Sequence, residues 1–85
     1  MNTQDTVRQI IAGVSDLPAD FAADANLYIE LGVPSIGAMQ LLLELEDRFG
    51  VQVPDDQFVE ATTLDALVAL VDRLRVHGND AVARV

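Results

Sequence analysis

The chain has 85 residues and no cysteine, and its 14 acids outnumber five arginines to give a formal net charge of −9. Without cysteine, disulfides and thiolate metal sites are excluded. The acidic balance argues against nucleic acid and anionic membrane surfaces as partners. The 51% apolar content supports a single folded domain, residues 1–85, with its core over about residues 3–76. The N-terminus lacks a signal-peptide pattern and the longest apolar run is too short to span a bilayer, so we expect a cytoplasmic monomer.

The first third of the chain predicts one helix followed by a long loop. Apolar residues recur at helical spacing after Asn2 and Thr3, and the helix should stop between Ser15 and Leu17. Residues 17–34 show no sustained period and contain scattered apolar anchors, which predicts a long loop with at most one helical turn. Loops of this length in small domains are often functional.

The most strongly periodic segment predicts helix 2, from Pro34 or Ser35 to Phe49, with Gly50 as its C-terminal stop. Residues 55–59 predict a short third helix, because two aspartates stand where the helix dipole favours negative charge.

The last helix is expected to begin near Thr62 or Thr63, with Thr62 and Asp65 as a variant of the capping box. It should fade by His77, leaving residues 78–85 as a frayed tail. No strand pattern or internal repeat is present. The sequence therefore predicts an all-α fold, a small four-helix bundle of three main helices and one short helix, with a long loop between helices 1 and 2.

Helix 2 carries two apolar stripes when it is drawn at about 100° per residue. The wider stripe is a normal core face and comprises Ala38, Leu41, Leu42, Leu45 and Phe49. The second stripe lies about 130° away on the same wheel, consists of Ile36, Met39 and Leu43, and is rimmed by the polar residues Gln40, Glu44, Glu46 and Asp47. It either packs beneath the long loop or faces solvent as a docking surface for a partner helix with basic flanks. We expect exposure for Met39 and Leu43, and Ile36 fits either alternative.

Ser35 stands behind a proline at the start of helix 2, and its hydroxyl has three possible roles. It is an N-cap or first-turn residue in the simplest interpretation. A catalytic role lacks a visible base, since the only histidine is His77 near the end of the last helix. The third possibility is that Ser35 is itself modified, because a phosphodiester there would sit at the positive end of the helix dipole.

Residues 25–56, ANLYIELGVPSIGAMQLLLELEDRFGVQVPDD, resemble the core of acyl and peptidyl carrier proteins. The resemblance implies a freestanding four-helix carrier domain whose serine, here Ser35, bears 4′-phosphopantetheine derived from coenzyme A. It extends over residues 3–74. The family usually has an acid before this serine, whereas this chain has Pro34, which brings compatibility with the phosphopantetheinyl transferase into question.

The resemblance implies a carrier of acyl or aminoacyl thioesters in fatty acid, polyketide or nonribosomal peptide synthesis, and not an enzyme. Its implied partners are a phosphopantetheinyl transferase, a loading adenylating ligase or acyltransferase, and a downstream synthase or transferase. Its docking face would comprise Ile36, Met39, Gln40, Leu43, Glu46 and Asp47. Two alternatives remain, an unmodified protein-binding module of the same fold and an enzyme. No catalytic or metal-binding residue is assigned.

Overall fold

Four α-helices and their connections make up the computed structural model, which describes residues 2–83 and the side chains of residues 2–76. The helices are α1 (Thr3–Ser15), α2 (Ser35–Phe49), α3 (Asp55–Glu60) and α4 (Leu64–Ala83). The first helix packs against α2 and α4, which also touch each other, and α3 packs on α4. No strand occurs over residues 2–83, and the predicted all-α four-helix bundle is confirmed.

The ends of α1 and α2 follow the local sequence. Asn2 precedes α1, and its side-chain oxygen accepts a hydrogen bond of 2.8 Å from the backbone N–H of Asp5. Gly50 ends α2 at a φ of 64°, in the left-handed region where glycine carries no Cβ penalty. Its N–H donates to the carbonyl of Glu46, which closes the last turn.

Two predictions about α4 are wrong. The hydroxyl of Thr63 accepts from the N–H of Ala66 at 3.1 Å, so Thr63 is the capping residue and the expected pairing of Thr62 with Asp65 does not form. The helix also continues past His77 to Ala83. An interior glycine costs only about 1 kcal/mol relative to alanine, so Gly78 alone does not end a helix. Fraying of residues 78–85 stays a prediction, and residues 84 and 85 lie outside the described range.

The core is built from the inward stripes of α1, α2 and α4, completed by residues from the connections. Its buried members are Val7, Ile10, Ile11, Leu27, Val33, Leu41, Leu45, Val53, Phe58, Ala61, Leu64, Leu67, Leu70 and Val71. No charged side chain among the described residues is buried. Over the same residues, no helix has both the length and the apolar content needed to cross a membrane.

Residues 16–34, here called loop 1, are tied to the start of α4 by backbone hydrogen bonds. The N–H of Leu27 donates to the carbonyl of Thr62 at 2.8 Å, and the N–H of Asp65 donates to the carbonyl of Ala23 at 3.1 Å. The Leu27 side chain is fully buried, and the backbone carbonyl of Leu27 accepts a hydrogen bond of 2.9 Å from the N–H of Val33. These bonds fix the path of the chain just before it enters α2.

Arg8 holds the other side of loop 1 from α1. Its guanidinium donates from a single nitrogen to the carbonyls of Ala19 and Phe21, and it lies 4.8 Å from the centroid of the Phe21 ring. Loop 1 is therefore held from both α1 and α4.

Candidate functional site

Ser35 is the first residue of α2, and its side chain is exposed to solvent. The N-cap position belongs to Pro34, whose φ of −75° and ψ of 163° are extended, so Ser35 is a first-turn residue and not the cap. Within the described residues its hydroxyl makes no hydrogen bond. The hydroxyl is thus accessible and is not committed to holding the helix end.

The backbone amides at the start of α2 are open. Proline at the N-cap has no side-chain oxygen, and the first hydrogen bond of the helix runs from Ala38 to the carbonyl of Pro34 at 3.0 Å. The N–H groups of Ser35, Ile36 and Gly37 have no partner among the described residues. The first turn also contains no acid. Open amides and the helix dipole together favour a phosphate group at this end.

Gly37 allows Pro34 to fold closely over the first turn of α2. A Cβ at Gly37 would stand 3.4 Å from the ring of Pro34 and 3.4 Å from a methyl group of Val33. A Cβ at this position would therefore be in van der Waals contact with both neighbours, which leaves little room for a side chain larger than that of alanine.

A shallow groove of about 270 Å³ lies beside Ser35, between loop 1, α2 and α3. It is lined by Tyr28, Ser35, Ala38, Phe58 and Val59, and most of this lining is apolar. Burial raises the pKa of the Tyr28 phenol above its ordinary value, because the charged form loses hydration. A flexible group attached to Ser35 would have this groove as its nearest surface.

The second stripe of α2 faces solvent. Ile36, Met39 and Leu43 are 70%, 66% and 60% exposed, whereas Leu41 and Leu45 on the core face are fully buried. The expected exposure of Met39 and Leu43 is confirmed, and the structure settles the open question for Ile36 in favour of exposure. An apolar stripe of this kind on a small domain is typical of a docking surface.

The three polar rim residues assigned to the docking face are of two kinds. Gln40 and Asp47 are exposed. Glu46 is half-buried, and its carboxylate accepts a hydrogen bond of 2.9 Å from the backbone N–H of Val53. Glu46 therefore joins the end of α2 to the link before α3, a structural role that the sequence did not indicate. Its predicted part in docking stays a prediction.

Two further exposed apolar side chains lie outside α2 and were missed from the sequence. Ile29 in loop 1 is 84% exposed, and Val59 on α3 is 68% exposed. A loop has no period from which the exposure of Ile29 follows. A helix of six residues is too short to show the two-turn repeat that separates an inner from an outer face.

The residues that the structure describes offer no set of ligands for a metal ion. Among the residues that the structure describes, no three or more histidine, cysteine or acidic side chains come together in a way that would hold a metal ion. His77 lies within α4, and its side chain is outside the described residues.

The family model for the phosphopantetheine attachment site matches residues 5–71. The chain belongs to this family of carrier proteins. It is 27% identical over 74 residues to the acyl carrier protein of Rhodococcus erythropolis (strain PR4 / NBRC 100887), covering 86% of this chain and 81% of the relative. It is 23% identical over an 86-residue alignment to the meromycolate extension acyl carrier protein of Mycolicibacterium smegmatis (strain ATCC 700084 / mc(2)155), covering 92% and 87% of the two chains.

Membership of the acyl carrier protein family confirms three predictions made from the sequence. The resemblance was correct, the cofactor is 4′-phosphopantetheine, and the protein is a carrier and not a catalyst. Carrier proteins work with a phosphopantetheinyl transferase and with biosynthetic enzymes. The structure fits the prosthetic group, because an exposed hydroxyl, open amides and an apolar groove meet at the start of α2.

Proposed function

We propose that Ser35 is the residue to which 4′-phosphopantetheine is attached. The observation that supports this assignment is the combination of an exposed hydroxyl without a hydrogen bond and three open amides in the same helical turn. Ser15 is the only other serine, and its hydroxyl is buried. A transferase therefore has one accessible serine hydroxyl on this chain.

The attachment is a phosphoryl transfer from coenzyme A that a separate, magnesium-dependent transferase catalyses. The oxygen of Ser35 attacks the β-phosphorus of coenzyme A, and a new phosphorus–oxygen bond forms. The phosphoanhydride bond to the nucleotide breaks, adenosine 3′,5′-bisphosphate leaves with the electron pair, and the hydroxyl proton passes to a base of the transferase. The N–H groups in the first turn of α2 that lack a hydrogen-bond partner favour the negative charge of the resulting phosphodiester.

The modified protein acts as a discrete carrier of acyl or aminoacyl thioesters. The attached group supplies the thiol that the cysteine-free chain lacks. Both relatives are named acyl carrier proteins, and one name specifies meromycolate extension, which supports an acyl cargo over an aminoacyl one. A loading ligase or acyltransferase and a downstream synthase of fatty acid, polyketide or peptide type are the remaining partners. Coenzyme A is an intracellular cofactor, so a cytoplasmic location is part of this proposal.

The docking face for these enzymes is the second stripe of α2 with its rim. Ile36, Met39 and Leu43 supply the apolar contact, and the exposed Gln40 and Asp47 supply polar contacts beside it. With a net charge of −9, the carrier is expected to meet basic docking sites and to associate faster at low salt.

Intact mass spectrometry of the purified protein with coenzyme A, magnesium and a broad-specificity phosphopantetheinyl transferase tests the assignment. We expect a gain of one phosphopantetheine on the wild type and on Ser15→Ala, and no gain on Ser35→Ala. Peptide mapping should locate the modification to Ser35. A gain that persists in Ser35→Ala would refute the assignment.

Pro34 supports one alternative of a different class, an unmodified helical module that only binds proteins. The family's usual acid is absent before Ser35, and α2 has no acid in its first turn. A folded wild-type protein that gains no mass, and that binds its partner equally well as Ser35→Ala, would favour this alternative over the carrier function.

A further inference from the structure

We propose that a polar cavity at the far end of α2 from Ser35 binds a phosphate group between the side chains of Arg48 and Arg75. The 15 residues of α2 rise about 1.5 Å each, so the two ends of this helix lie about 20 Å apart. The cavity is therefore separate from the attachment at Ser35, and phosphate binding there does not depend on that attachment.

Three helices form this cavity, which has a volume of about 260 Å³. It is lined by Asn2, Thr3 and Thr6 at the start of α1, Arg48 and Phe49 at the end of α2, and Arg75 on α4. The whole chain has 14 acids and five arginines, yet no acidic side chain among the described residues lines the cavity. Two guanidinium groups that face one cavity repel each other, and an anion between them would relieve that repulsion.

Most of the N–H donors of the two arginines remain available to a ligand. Arg48 approaches Glu44 through Nε alone, at 3.7 Å, and its two Nη nitrogens make no hydrogen bond within the described residues. Arg75 donates from Nη1 to the hydroxyl of Thr3 at 3.3 Å and lies 5.8 Å from the centroid of the Phe49 ring. These two contacts hold the Arg75 guanidinium at the cavity wall, and the Thr3 hydroxyl, which accepts that bond, keeps its own hydrogen to donate.

The start of α1 contributes less to this site than the arginines do. The side chain of Asn2 already accepts from the N–H of Asp5, and the Thr6 hydroxyl donates to the carbonyl of Asn2 at 3.2 Å. The positive charge that attracts an anion is therefore supplied by Arg48 and Arg75, and not by the helix terminus.

The arrangement of donors fits a phosphate better than a carboxylate. A carboxylate has two oxygens and a single charge, and one guanidinium satisfies it in a bidentate pair. A phosphate monoester carries a charge of about −1.5 to −2 near neutral pH and three free oxygens, so it can accept from two guanidinium groups and a hydroxyl together. Inorganic phosphate and small phosphate esters share this chemistry. Either ligand would join α2 to α4, and binding to the folded state alone would stabilise the domain.

Nuclear magnetic resonance measures this binding on the intact protein. Inorganic phosphate, glycerol 3-phosphate and acetate are titrated separately into the ¹⁵N-labelled chain, with sodium chloride keeping the ionic strength constant. Arg48→Gln and Arg75→Gln each remove one guanidinium from the cavity. Arg73→Gln is the matched control, because Arg73 is also on α4 but bonds to Gln57 outside this cavity. Arg48→Gln loses only an exposed ion pair, so it should keep the wild-type Tm measured without phosphate even if Arg75→Gln does not.

We expect saturable shifts of the backbone amides of Thr3, Phe49 and Arg75 with inorganic phosphate, with a Kd on the order of 1 mM. Each cavity variant should weaken binding by about fivefold or more, whereas Arg73→Gln should stay within about twofold of wild type. Tighter binding of glycerol 3-phosphate than of inorganic phosphate would identify an ester as the ligand, and the reverse order would identify the free ion.

Three results would overturn the phosphate site. The first is shifts at these amides that do not saturate, the second is wild-type affinity in Arg48→Gln, and the third is acetate binding as tight as that of phosphate. None of them would affect the assignment of Ser35, which the gain of mass tests separately.

Discussion

Replacing Arg8 by alanine is expected to loosen loop 1 and to destabilise the whole domain. One nitrogen of its guanidinium donates to the carbonyls of Ala19 and Phe21, and its positive charge lies over the Phe21 ring. Alanine would leave both carbonyls without this donor and would uncover the ring. Loop 1 would then depend on its bonds to the start of α4.

The size of the effect follows from these contacts. A hydrogen bond that involves a charged group contributes about 1.5–3 kcal/mol when it is well buried, and a cation over an aromatic ring adds about 0.5–1 kcal/mol at exposed sites. Both bonds use one nitrogen at a part-buried site, where water replaces some of what is lost. We therefore expect Arg8→Ala to lower the free energy of unfolding by about 2–3 kcal/mol, which corresponds to a fall in Tm of about 10–20 °C for a domain of this size.

Urea denaturation and thermal melting followed by circular dichroism measure this loss. Arg73→Ala is the matched control, since it removes the same charge but only an exposed hydrogen bond of 3.2 Å to Gln57. It should change stability by no more than about 0.5 kcal/mol. Arg8→Lys keeps the charge without the planar guanidinium and should lie between wild type and Arg8→Ala. Equal losses for Arg8→Ala and Arg73→Ala would show that net charge, and not the hold on loop 1, sets the stability.

Two further predictions concern the two faces of α2 and the half-buried Tyr28. Leu43→Glu should leave Tm unchanged and slow turnover by the partner enzymes, because Leu43 is 60% exposed. Leu45→Glu should unfold the domain, because Leu45 is fully buried. A loss of stability in Leu43→Glu comparable to that in Leu45→Glu would mean that the second stripe is core. Burial raises the pKa of Tyr28 above its ordinary value of 10.0. The folded state therefore keeps the phenol proton to a higher pH than the unfolded state does. The contribution of Tyr28 to stability is fully present below pH 10 and should be lost as pH rises through the raised pKa. Melting curves between about pH 9 and 11 should show a smaller fall in Tm for Tyr28→Phe than for the wild type. An identical fall in the two proteins would exclude Tyr28 as its source.

The helices and the position of Ser35 could be predicted because the signals that set them are local. Asn2 begins α1 through the hydrogen bond that its side chain accepts, and Gly50 ends α2 because glycine tolerates a positive φ. The two stripes of α2 differ in angle, and a helical wheel separates them without knowledge of the fold. The periodicity of α2 separates Met39 and Leu43 from the core stripe, and their acidic rim favours exposure. Both side chains do face solvent.

The features that sequence reasoning missed depend on contacts between distant residues. Arg8 meets carbonyls 11 and 13 residues away, and no local pattern marks those carbonyls as acceptors. Glu46 resembles a solvated rim residue on a wheel, yet it bonds to Val53 after the chain has turned back. The exposure of Ile29 follows from how loop 1 lies on the bundle, which its sequence does not encode in any repeat.

The two ends of α2 differ in how their backbone groups are hydrogen-bonded. At the C-terminal end, Gly50 closes the last turn and Glu46 anchors the following link, so that end adds to stability. At the N-terminal end, a proline cap leaves three amides and the Ser35 hydroxyl without partners in the described residues, so that end gives up the roughly 1 kcal/mol that a capping side chain usually adds. The part of loop 1 that leads to Ser35 is held from outside the helix by the buried Leu27 and its backbone hydrogen bonds to Thr62 and Val33. Arg8 holds the earlier part of the same loop. A small domain can therefore leave a reactive hydroxyl exposed at the start of a helix. The hydrogen bonds of the preceding loop hold the chain in place where a capping side chain is absent.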